Sequence, residues 1–129
     1  MKTLVLGFIS GTSLATPVDR TEARTAIQIY LAESLRVVSD KELQSESGYD
    51  KLQIVTGPAN HQVSAIVREV AGKLNIPCKA GDGWGVTGPR FYSGCDVMVH
   101  YGRTTDPWCK QQETDFRRTK PGHFVHFIF

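Results

Sequence analysis

The stretch Tyr49-Asp50-Lys51-Leu52-Gln53-Ile54-Val55-Thr56-Gly57-Pro58-Ala59-Asn60-His61-Gln62-Val63 decides the fold. Leu52, Ile54 and Val55 give it the content of a strand, and Thr56-Gly57 reads as a tight turn. Val63, Ile66, Val67, Val70 and Leu74 then recur at three and four residues, which predicts a helix to about Leu74 with Pro77 beyond its end. A strand that delivers its carboxyl end to a turn and a helix N-terminus is the repeating unit of α/β domains, which carry their working groups at that end.

Upstream, Thr3 to Ile9 is strand-like through Leu4, Val5, Leu6 and Ile9, and Gly11 to Pro17 breaks that pattern. Asp19 and Glu22 have the spacing of a capping box, followed by one apolar helical face of Ala23, Ala26, Ile27, Tyr30, Leu31 and Leu35. Val37-Val38 reads as a short strand, and Ser39 to Ser47 as a polar loop or a single helical turn. Downstream, Gly81 to Pro89 is glycine-dense and predicts a loop or irregular hairpin, while Asp96 to Tyr101 predicts a mostly apolar, central strand. Thr104 to Thr119 is polar and predicts a loop or short helix anchored by Trp108 and Phe116. His123 to Phe129 has the aromatic and β-branched content of a last strand. The order predicts one α/β (α+β) domain over residues 1–129, a mixed sheet packed on two main amphipathic helices.

A net charge of +2 is too small to attract nucleic acid by bulk charge. Cys78, Cys95 and Cys109 are odd in number and form no CxxC pair, so reduced thiols are expected. Met1-Lys2 with the apolar run Thr3 to Ile9 resembles the start of a signal peptide, Ser13-Leu14-Ala15 being its cleavage site. The run is short and interrupted by Gly7, so a retained first strand is the expectation, with a cytoplasmic or mitochondrial-matrix location and secretion left open. No segment approaches the apolar length of a membrane span.

Two blocks resemble the ribosomal silencing factor (Iojap-like) family, over roughly Leu31 to Phe116. In the first, Asp50, Ile54, Thr56, Gly57, Asn60, Gln62, Val63, Ala65 and Ile66 match family residues or similar ones, with His61 where Arg is usual. In the second, Asp96-Val97-Met98-Val99-His100 is similar to the family's Asp-Val-Val-Val-His strand, and Trp84 to the tryptophan before it. Pro58 and Ala59 replace small hydroxyl residues, the interval from Trp84 to Asp96 is longer, and the acidic-aromatic run after the His strand is poorly kept. The resemblance implies a nucleotidyltransferase-like α/β fold and a non-catalytic partner of the large ribosomal subunit. Such a protein docks on a large-subunit protein, blocks subunit joining or assists assembly, and needs no cofactor or metal. Thr56, Gly57, Asn60, His61, Asp96, His100 and Trp108 are the docking residues it implies.

Each of these residues also has a plainer role. His100 on a strand suits a hydrogen-bonded structural histidine, Thr56-Gly57 suits turn and cap chemistry, and Trp84 suits a core plug. Arg117, Arg118 and Lys120, with Arg103 and Lys110 nearby, form a basic cluster that suits either a solvated loop or rRNA phosphates. The strand order and Ile54-Val55-Thr56-Gly57 are also similar to small MutS-related endonuclease domains, although Leu6-Gly7 lacks the histidine of their Leu-His-Gly motif. A Cys-His hydrolase would pair Cys95 or Cys109 with His100, His123 or His126, without any local signature. Four regularly spaced zinc ligands are missing, and Gly81 to Gly88 lacks the Lys-Ser/Thr of a P-loop.

Overall fold

β1 (Lys2–Ile9) is apolar from Leu4 to Ile9 apart from Gly7, the composition a strand needs when both faces are covered. It lies at the centre of a five-stranded sheet in a computed structural model that describes residues 2–10, 16–56, 62–80, 94–102, 107–119 and 124–128. The chain continues through α1 (Pro17–Ser39), α2 (Lys41–Ser47), β2 (Tyr49–Thr56), α3 (Gln62–Lys73), β3 (Cys78–Ala80), β4 (Val97–Tyr101), α4 (Pro107–Thr119) and β5 (Phe124–Ile128). The strands lie in the order β3-β2-β1-β4-β5.

The expected α/β class is present. The sheet, expected to be mixed, is parallel at every described pairing, with Leu6 against Ile54 on one side and Val97 on the other. Helical crossovers explain this, because a parallel neighbour needs a connection long enough to return to the starting edge. Polar composition hid one of them: residues 107–119, read as a loop or short helix, form the helix that carries β4 across to β5.

Period-two alternation assigns the two faces. Leu6 and Phe8 of β1, Leu52 and Ile54 of β2, and Val99 and Tyr101 of β4 form one core with Ala23, Ile27 and Leu31 of α1 and Val63, Val67 and Val70 of α3. Ile9 and Met98 point the other way and pack with Cys95 and with Cys109 and Phe116 of α4. Each fully buried Leu, Ile, Phe or Met contributes about 1.5–3 kcal/mol relative to exposure.

α1 begins one turn before the expected box. Thr16 is its N-cap, Pro17 fills the first helical position, and the reciprocal bonds are Asp19 N–H to Thr16 Oγ1 (3.1 Å) and Thr16 N–H to Asp19 Oδ2 (3.2 Å). Val37-Val38, read as a short strand, belongs to this helix. Val38 extends the buried row of Ala23, Ile27 and Leu31, and that tertiary stripe outweighs β-branched propensity. Residues 41–47 are a two-turn helix, capped by Asp40 on the N–H groups of Glu42 and Leu43 and closed by Gly48 at φ +81°. β3 was not anticipated: Cys-Lys-Ala has little strand propensity, and pairing with Ile54 to Thr56 makes it a strand. The Gly57 to His61 turn and the Gly81 to Pro89 segment with Trp84 lie outside the described residues.

Phe8 and Tyr30 meet edge to face, with ring centroids 6.1 Å apart. Burial pushes the Tyr30 phenol from 10.0 up to about 12. Because the folded value lies above the unfolded one, this contribution to stability is complete below pH 10 and is lost as the pH rises toward about 12. Tyr30→Phe therefore retains more of its neutral-pH stability across that interval than the wild type does, as measured by urea unfolding at stepped pH.

Candidate functional site

β1 leads through α1 to β2 on one side, whereas β4 leads through α4 to β5 on the other, so the strand order reverses between β1 and β4. α1 and α4 consequently lie on opposite faces, and the chain leaves the carboxyl ends of these two neighbouring strands in opposite directions. A crevice at such a switch point is the position where open parallel sheets hold ligands.

The described residues at these two strand ends are Ile9-Ser10 and Tyr101-Gly102. The buried Ser10 hydroxyl donates to the Tyr101 carbonyl at 2.9 Å and ties the two strand ends together one residue beyond the paired Ile9 and His100. Gly102 turns the chain away at φ +94°, a left-handed conformation that favours glycine. Burial raises the Tyr101 phenol pKa, and the carboxylates of Glu22 and Asp19 raise it further, which marks an acidic rim on the α1 side.

One residue before Tyr101, His100 Nδ1 and Glu113 Oε1 lie 2.5 Å apart, with side-chain exposures of 0% and 10%. The helix explains the pairing. Cys109, Gln112, Glu113 and Phe116 recur at three, four and seven residues, so the face of α4 turned to the sheet carries two polar residues between its apolar ends. Burying a carboxylate is costly unless it is hydrogen-bonded, and the ring of His100 meets that need. Asp115, also buried, accepts from Gln111 and from Arg118.

The residues singled out from sequence are spread over both ends of the sheet. Thr56 is fully buried at the carboxyl end of β2, on the α1–α3 face, and His100 is fully buried near the carboxyl end of β4 on the α4 face. Neither presents surface to a docking protein, and the hydrogen-bonded role weighed for His100 is the one its environment supplies. Asp96 sits at the opposite end of β4. Its N–H donates to Val5 O (2.8 Å) and its Oδ2 accepts from Val5 N–H (2.9 Å), so it prolongs the β1–β4 ladder. Asp96 also raises the Tyr49 phenol pKa, after burial, by its charge and a hydrogen bond. Four residues of strand, about 13 Å, separate Asp96 from His100, so they do not share a site.

Trp108 lies in the first turn of α4. Arg117 and Arg118 are exposed in its last turn, away from the crevice, where cations complement the helix dipole. Gly57, Asn60, His61, Lys120 and His123 lie outside the described residues. Sequence reasoning missed Ser10, Tyr101, Gly102 and Glu113. The signal for Glu113 was there, in polar residues interleaved at helical spacing between Cys109 and Phe116. Among the described residues no group of three His, Cys, Asp or Glu side chains is placed to hold a metal ion.

Comparison with protein-family models, curated proteins and solved structures finds no significant match to this chain.

Cys95 and Cys109 are 1% and 0% exposed, which closes both thiols to a substrate. Burial also raises the pKa of the half-buried Cys78 thiol, with Arg68 opposing. A chromogenic disulfide reagent at neutral pH should find Cys95 and Cys109 unreactive in the native protein, and all three thiols after denaturation. A fast native reaction at either buried position would restore the Cys-His hydrolase reading.

Proposed function

We propose that this chain binds a small nucleotide-type ligand in the crevice between the carboxyl ends of β1 and β4. The observation that carries the reading is the reversal of strand order between two parallel neighbours, with helices leaving to opposite faces. The charges around the crevice favour a ligand with two chemically different ends. Lys110 is exposed in the first turn of α4 and offers a cation to a phosphate there, with Asp106 directly before the helix in the sequence. The N-terminus of α1 is closed by its own capping box and carries Asp19, with Glu22 one turn on, so that side suits ribose hydroxyls instead. Ser10 and Gly102 fix the floor between them, and the His100–Glu113 pair holds the end of β4 to α4.

Thermal unfolding with AMP, ADP, adenosine and inorganic phosphate, each tested separately, examines this. A nucleotide at a hundred times its Kd should stabilise the protein by about 2.7 kcal/mol. Lys110→Glu should weaken the response to AMP and ADP and leave that to adenosine unchanged. No stabilisation by any nucleotide at millimolar concentration overturns the proposal.

A second reading is docking on a large ribosomal subunit protein with rRNA contact. It draws on the family resemblance and on one surface observation: Val18 and Ile29 are exposed at 64% and 61% and lie three turns apart on one side of α1. Co-sedimentation with purified subunits across a salt series should then give saturable binding to the large subunit alone, weakened in Val18→Asp and Ile29→Asp. Absence of large-subunit binding removes this reading.

A further inference from the structure

The link from α3 to β3 leaves one peptide unit of β2 unanswered. β3 begins at Cys78 and pairs with Ile54, Val55 and Thr56, so its register stops short of Leu52. Ile54 N–H donates to Pro77 O at 2.9 Å, which turns the Ile54 backbone toward β3, and by the two-residue alternation of a strand Leu52 faces the same way. A continued parallel ladder would bond the Leu52 carbonyl to the N–H of residue 77 and the Leu52 N–H to the carbonyl of residue 75. Residue 77 is proline and has no N–H. Asn75 adopts a left-handed backbone, φ +56°, and its N–H donates to Gly72 O at 3.3 Å, so the chain is still turning out of α3 there. Among the described residues no backbone group answers the N–H or the carbonyl of Leu52.

Leu52 and the residues that fail to answer it, Asn75 to Pro77, line one cavity of about 390 Å³, in the size range of small-molecule sites. Leu35 and Val38 of α1 extend its apolar lining, and Ser39 of α1 and Thr3 of β1 contribute as well. A lining drawn from several elements, with a single strand residue offering its backbone, suits a compact ligand. The charged lining residues Asp50 and Lys51 are of opposite sign, so among the described residues the cavity has no surplus cation for a phosphate. It is also separate from the crevice between β1 and β4, because seven residues of β1, about 23 Å, lie between Thr3 and Ser10.

We propose that this cavity binds a neutral planar heterocycle with a hydrogen-bond acceptor beside an N–H donor on one edge, the class of the aminopyrimidines and the free nucleobases. The acceptor takes the Leu52 N–H, the donor meets the Leu52 carbonyl, and the ring lies against the apolar side chains. The N–H and C=O of one strand residue point to the same side, which is how facing residues of an antiparallel pair exchange both of their bonds. A few fixed backbone groups on an apolar lining are what orient ligands in small-molecule sites. Leu52 is 5% exposed, and a buried peptide group without a partner is costly, so a ligand that meets both groups has an advantage over a purely apolar one.

The test is an NMR titration of the ¹⁵N-labelled full chain with 7-azaindole, whose N–H donor and ring-nitrogen acceptor lie side by side. Indole, which keeps only the donor, and 1-methyl-7-azaindole, which keeps only the acceptor, are the comparisons. Saturable shifts centred on the Leu52 amide are expected with 7-azaindole at millimolar concentration, and each comparison compound should bind about tenfold more weakly or less. The proposal is overturned if the three compounds bind alike, if the shifts centre on Ser10 and Tyr101 instead, or if no shift appears at millimolar 7-azaindole.

Discussion

The structure depends on the burial of β1 on both faces and along both edges. Leu6 and Phe8 enter the α1–α3 core and Ile9 the α4 core, while β2 and β4 take its two edges. A strand in this position has no polar side to offer, which is why Leu4 to Ile9 is almost unbroken in its apolar character. Both halves of the doubly wound sheet are built outward from it. The switch point between β1 and β4 exists because the two halves wind in opposite directions from neighbouring strands.

Elements whose burial shows as periodicity were legible in the sequence. β1, β2, α1, α3 and β4 were placed within a few residues because each buries one stripe or two full faces. The errors came where other forces dominate. Val37-Val38 has strand propensity but completes a helical stripe, β3 is a strand only through its neighbour, and α4 disguises its buried face with Gln112 and Glu113. The expectation of a mixed sheet followed from that last error, since without α4 the link from β4 to β5 lacks its crossover helix.

The site was less legible for a physical reason. Its parts meet across about ninety residues, as Ser10 with Tyr101 (91 apart), and no local pattern announces such a meeting. His100 was noticed as a histidine on a strand, yet its meaning lies with Glu113, thirteen residues away on another element. Asp96 was noticed as an acid before an apolar strand, and its work is to stand in the ladder beside Val5. Asp96 serves the seam between β1 and the second half, and His100 joins β4 to α4 within that half.

That seam has a kinetic meaning. The segment from β1 to β3 forms its parallel pairs through crossovers of ordinary length, whereas β4 must find β1 across most of the chain. Closing so long a loop costs entropy before any contact compensates it, so the late docking of β4 is the natural slow event in folding. Until then Leu6, Phe8 and Ile9 have one open edge at the very strand that later becomes central. The nascent chain thus carries an open apolar strand edge from the emergence of β1 until the residues around Tyr101 have emerged.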